Sequence, residues 1–126
     1  MAKKIYTKNA PDAIGPYSQA VVVGNLVYTS GQIAINPESG NVEADTVEGQ
    51  TEQVCKNLSA VLEAAGSRIE NTVKTVCFLS DMGDFAAFNE IYGRYFTSKP
   101  ARSCVAVKTL PKNVLVEVEA IAEIKA

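Results

Sequence analysis

Residues 114–124 read Val-Leu-Val-Glu-Val-Glu-Ala-Ile-Ala-Glu-Ile. Every even position is apolar, while the odd positions are Leu115, Glu117, Glu119, Ile121 and Glu123. Successive side chains of a strand point to opposite faces, so this pattern specifies a strand with one face in a core and the other of mixed character. Such a strand needs neighbours in a sheet and a covering layer over its apolar face.

The rest of the chain supplies both. Gln19 to Val23 and Leu26 to Gly31 are strand-like runs joined by Gly24-Asn25, a two-residue connection of the tight-hairpin kind. Pro37 to Asn41 reads as a turn, and Asp45 followed by Glu48 has the spacing of a helix cap. Val47, Val54, Leu58, Val61, Leu62 and Ala65 then recur at three- and four-residue spacing up to Gly66, which predicts a helix over 46–65. Val73 to Ser80 is rich in β-formers with apolar residues on both parities, a strand covered on two sides. Asp81 and Asp84 open a second helical segment whose stripe is Phe85, Phe88, Ile91, Tyr92, Tyr95 and Phe96, a pattern that ordinarily means core packing. A strand from Arg102 to Lys108, a turn at Leu110 to Asn113 and the strand of residues 114–124 complete the order ββαβαββ. Two helices interleaved among strands predict an α+β fold, a mixed sheet packed under two helices on one face. The opposite face is then uncovered, and Leu115 and Ile121 upon it imply a partner subunit.

At 126 residues the chain is the size of one domain, residues 1–126, with enough burial for a core without staples. It has no histidine, which removes Ser-His and Cys-His nucleophile pairs and histidine metal sites. Cys55, Cys77 and Cys104 are an odd number and too widely spaced for a CxxC pair, in keeping with a reducing, cytoplasmic setting. The N-terminal Met-Ala-Lys-Lys-Ile-Tyr-Thr-Lys lacks the apolar run of an export signal, and no segment has the length of a membrane span. A net charge of −2, with dispersed lysines and nine aromatics (five Tyr, four Phe), disfavours nucleic acid as a partner.

Arg102, at the start of a strand after Lys99-Pro100-Ala101, is placed to fork onto a carboxylate, although a lone arginine more often solvates a surface. Cys104 shares its parity and, with no histidine to deprotonate it, reads as a small buried hydrophobe rather than a nucleophile. Glu117 and Glu119 share the mixed face of the last strand. Without oxygen-rich loops beside them they make a poor metal cage, which leaves acid–base work or a wetted sheet surface.

Four ordered blocks carry a resemblance that runs the length of the chain: Ala13-Ile14-Gly15-Pro16-Tyr17-Ser18-Gln19, Thr29-Ser30-Gly31-Gln32-Ile33, Pro100-Ala101-Arg102-Ser103-Cys104-Val105, and Leu110-Pro111-Lys112 followed by Val116 to Ala122. Together they resemble the RidA (YjgF-type) family of reactive-intermediate deaminases. The resemblance implies a chorismate-mutase-like α+β subunit, a homotrimer with ligand clefts between subunits, and hydrolysis of 2-imino acids such as 2-iminobutanoate and 2-iminopropanoate to 2-oxo acids and ammonia, with no cofactor and no metal. By motif, Arg102 resembles the clamp for the substrate carboxylate and Glu117 the residue that holds the attacking water. Tyr17, Ser30, Gly31 and Cys104 match pocket positions, and Asn89 resembles a pocket asparagine supplied across the subunit boundary. The stretch from Asn89 to Arg102 is shorter than in some members, which leaves substrate range open. The same pocket could instead serve a regulatory trimer that binds oxo acids without turnover; a ribonuclease activity attached to relatives fits poorly with the absence of histidine and of a basic patch.

Overall fold

The computed structural model describes residues 2–125. Six strands form one mixed sheet: β1 (Lys3–Ile5), β2 (Ala20–Val23), β3 (Leu26–Thr29), β4 (Thr72–Leu79), β5 (Ala101–Ala106) and β6 (Val116–Glu123). Two helices, α1 (Val47–Ala64) and α2 (Phe85–Tyr95), are inserted after β3 and β4. The spatial order is β1-β2-β3-β6-β4-β5; all pairs are antiparallel except β4 with β5. That parallel pair is the one joined by a helical crossover, as parallel neighbours require.

The expected α+β architecture is present, with an additional strand. β1 pairs with β2 in the register Lys3 to Val22 and Ile5 to Ala20, so the order begins βββ rather than ββ. The second and third strands turn at Gly24, whose φ of 61° is the left-handed conformation such a two-residue loop needs. Helix α1 is capped by Thr46, whose hydroxyl accepts from the Gly49 amide, and not by Asp45. The last strand begins at Val116, because Pro111–Asn113 forms a short 3₁₀ turn before it. Leu115 therefore lies outside the strand and packs against the core instead of facing outward, while its amide is held by the Gln50 side chain.

In β6 the apolar parity is buried as its alternation predicts: Val116, Val118, Ala120 and Ala122 all lie at 2% exposure or less. Val54, Leu58, Val61 and Leu62 of α1 and Phe88 of α2 close the layer above them. Neither helix covers the opposite face. Its residues follow from the register: Val21 and Tyr28, Val76 and Phe78, Glu117, Glu119 and Ile121, and Val105 on the edge strand. Tyr28 is 42% exposed and Val105 47%, so a patch of large apolar side chains stands open there.

Candidate functional site

Glu117 projects from β6 onto the open face, beside an irregular stretch of chain. β3 pairs with β6 as far as Tyr28 opposite Ile121, and pairing resumes where Gln32 bridges Val118. Three residues, Thr29 to Gly31, thus stand against Glu119 and Ala120, which makes a bulge. The Thr29 hydroxyl accepts from the Ala120 amide, and the Ser30 amide bonds to the Gln19 carbonyl. The Ser30 hydroxyl donates to the Ser18 carbonyl at 2.6 Å, which leaves its lone pairs free to accept.

This excursion brings Gly31 against the carboxylate. A Cβ at Gly31 would collide with Glu117 Oε2, so the acid occupies the space a side chain would need. Tyr17, Ser30, Gly31 and Glu117, with Pro11, Asp12 and Pro111, line a recess of about 340 Å³. Burial holds the Glu117 carboxyl above the usual carboxylate range, and the charge of Glu119 raises it further. No cation pairs with Glu117 among the described residues.

The recess depends on polar side chains whose partners lie far away in sequence. Buried Gln19 accepts from the Thr7 amide and donates to the carbonyls of Thr7, Ala10 and Pro11, which pins the segment carrying Pro11 and Asp12. Asn57, buried in α1, donates to the carbonyls of Ile33 and Ile35 and fixes the opposite wall. Sequence reading missed both residues. The available signal was a fully polar amide standing in otherwise apolar surroundings, as Asn57 does between Val54 and Leu58.

Arg102 stands elsewhere. It lies opposite Thr75 on β4, and Thr75 faces the core, so Arg102 points to the helix side of the sheet. From the edge strand its side chain reaches α2, where Nη1 donates to Asn89 Oδ1 at 2.7 Å. Its Cζ lies 4.9 Å from the Tyr92 ring centroid and 5.4 Å from that of Phe85. Arg102 also lines a cleft of about 450 Å³ with Tyr92, Phe96, Lys99 and Pro100. Cys104 follows it on the same side, opposite buried Cys77. Burial pushes the Cys104 thiol up, against the lowering effect of Arg102, so it is a neutral thiol at physiological pH. Cys77 is pushed up to about 12, again mainly by burial.

The structure therefore sorts the expected residues into two groups. Tyr17, Ser30, Gly31 and Glu117 form one, and Asn89, Arg102 and Cys104 the other. A single Arg–Glu face, which a strand-by-strand reading invites, is not what one chain presents: β5 sends Arg102 to the helix side, and β6 sends Glu117 to the open side. Among the described residues no cluster of three or more Cys, Asp or Glu could hold a metal ion, and no helix is long and apolar enough to cross a membrane.

The sequence and the fold both have known relatives. The family profile described as endoribonuclease L-PSP matches residues 7–124. A Lactococcus lactis protein named as a regulator, AldR, is 52% identical over 125 residues, covering 98% of this chain and 99% of that protein. The 2-iminobutanoate/2-iminopropanoate deaminase of Escherichia coli is 51% identical over 126 residues, covering 97% and 98%. The solved structure of Escherichia coli TdcF with bound serine superposes with a TM-score of 0.92 at 43% identity, covering 98% of this chain and 99% of that one. With half its residues shared across nearly its whole length, and the same sheet under the same two helices, the chain belongs to the RidA (YjgF-type) family.

Proposed function

We propose that the protein hydrolyses 2-imino acids to 2-oxo acids and ammonia, at sites shared between identical subunits of a trimer. The observation that carries this reading is the division described above: a guanidinium held by neutral partners on one side of the sheet, and a half-buried carboxylate without an ion-pair partner in a recess on the other. Each half lacks what the other has. The open apolar face that carries Glu117 gives a second copy a surface to pack upon, and Arg102, on the edge strand, can reach from one subunit to face Glu117 of the next.

The chemistry suits these residues. A protonated imine is already electrophilic at C2, so no covalent nucleophile is required. Arg102 forks onto the substrate carboxylate and orients the molecule, with Asn89 holding one edge of the guanidinium. Glu117 accepts a proton from water as its oxygen bonds to C2, which gives a carbinolamine. The same acid returns the proton to the amino group and takes up the hydroxyl proton as the C–N bond breaks, so that the carbonyl forms and the departing ammonia carries that last proton away as ammonium. A carboxyl raised by burial is the stronger base of its type. Tyr17, the Ser30 hydroxyl and Cys104 line the cleft without a covalent role.

The test supplies 2-iminobutanoate from threonine and a threonine dehydratase and follows 2-oxobutanoate release. The protein should shorten the life of the imine, and Arg102→Lys should abolish most of that effect, because an ammonium cannot reproduce the planar fork. Spontaneous hydrolysis unchanged by the wild-type protein would overturn the reading. The relative named as a regulator favours a second one, an oxo-acid-binding trimer without turnover. That alternative predicts Arg102-dependent binding of 2-oxobutanoate and no acceleration of imine loss.

A further inference from the structure

Phe85, Asn89 and Tyr92 stand four and then three residues apart on α2, the spacing that places side chains along one face of a helix. Arg102 lies along that face and touches all three: its amino group bonds to Asn89, and its Cζ lies over both rings. The Tyr92 ring is itself immobilised. Its hydroxyl is 2.7 Å from the Thr75 hydroxyl, and its ring stacks on Phe96 at 4.5 Å and meets Phe88 at 5.4 Å. The stripe, read for the most part as core packing, thus has a second contact at Phe85 and Tyr92.

Every partner of this guanidinium is neutral. Neither ion pair among the described residues involves Arg102. A carboxylate partner would fix the side chain equally well, but it would neutralise the charge and occupy the N–H groups a ligand needs. An aromatic face and an amide oxygen fix the plane and leave the charge unspent.

We infer that Tyr92, with Phe85 beside it, is a positioning residue that holds the Arg102 guanidinium flat and uncompensated for an incoming carboxylate. This rests on the proposed role of Arg102. A free arginine side chain samples many rotamers, and a fork must be planar with its carboxylate to make two parallel bonds. The aromatic platform restricts that sampling before the ligand arrives. Its effect belongs to ligand capture and not to proton transfer at Glu117.

The experiment measures 2-oxobutanoate affinity by calorimetry, KM and kcat for the imine, and Tm, in wild type, Tyr92→Phe, Tyr92→Leu, Phe85→Leu and Arg102→Ala. Tyr92→Phe keeps the ring and loses the buried hydroxyl contact, so its Tm falls while affinity stays within about twofold of wild type. Tyr92→Leu keeps an apolar side chain and loses the π face, so affinity falls and KM rises by about five- to tenfold with kcat little changed. Phe85→Leu, at a half-buried position on the margin of the core, shows the same split at about two- to threefold with a smaller change in Tm than Tyr92→Leu. Should wild type bind in an Arg102-dependent way while Tyr92→Leu and Phe85→Leu bind equally well, the platform is wrong and the proposed function stands. Affinity that merely tracks Tm across the tyrosine variants also overturns it. Absence of Arg102-dependent binding in wild type overturns the platform and the proposed clamp together.

Discussion

At the scale of single residues, the contact of Gly31 with Glu117 makes the sharpest demand. Gly31 does not have a positive φ; what matters is the missing Cβ, whose place the Glu117 carboxylate fills. The obstructed atoms are the far end of a flexible side chain, so Gly31→Ala should leave Tm close to wild type while displacing the acid. With Glu117 as the proposed general base, imine turnover should fall by about tenfold or more. An alanine variant with wild-type turnover would mean that Glu117 need not sit where it does. Glu119 sets the second residue-scale expectation, since it raises Glu117 after burial has done so. Glu119→Gln should move the acid limb of the kcat/KM profile to lower pH, because the base then loses its proton more readily. The stability effect has a defined sign as well. A carboxyl raised by folding binds its proton more tightly in the native state, so the associated stability is complete in acid and is lost as pH rises through the folded value. Glu117→Gln should accordingly melt higher than wild type at neutral pH and lose that advantage in acid, as paired thermal melts would show.

At the scale of elements, what could be read locally was read well. The alternation in residues 114–124 defines β6, and the spacing from Val47 to Ala65 defines α1, because in both cases the burial pattern repeats along one segment. β1 escaped notice for the opposite reason. It is three residues long, two of them exposed, and only pairing with β2 makes it a strand. The same logic divides the site. Arg102 and Glu117 stand out as candidates in the motif blocks, but the residues that shape the chain around them act at long range: Gln19 on residues 7–11, Asn57 on Ile33 and Ile35, Gln50 on Leu115. No short window of sequence contains both partners of such a bond. Asn57→Ala leaves two carbonyls without their donor in a buried setting and should cost about 1 to 3 kcal/mol in urea denaturation. The recess wall should loosen with it, visible as faster amide exchange at residues 33–35. A variant as stable as wild type would show that water replaces the amide there.

At the scale of the whole molecule, the opposed directions of Arg102 and Glu117 follow from the parity of two strands and cannot be reversed by side-chain motion alone. A one-residue slip of β6 would turn Glu117 inward, but it would also expose Val116, Val118, Ala120 and Ala122, so the buried face locks the arrangement. If catalysis needs both groups, it needs two copies of the chain, and the proposed trimer makes a quantitative prediction. Arg102→Ala and Glu117→Ala should each be inactive by themselves. Unfolded together in equal amounts and refolded, they assemble at random, and a subunit interface regains an intact Arg–Glu pair when a Glu117→Ala chain supplies the arginine and an Arg102→Ala chain supplies the acid. That happens at about one interface in four for a closed ring of any size, so the mixture should recover about a quarter of wild-type turnover. Simple mixing of the folded variants should recover little until subunits exchange. A refolded mixture that stays inactive although its assemblies contain both variants would mean that the two groups do not meet across subunits, and the division of the sheet into two half-sites would need another explanation.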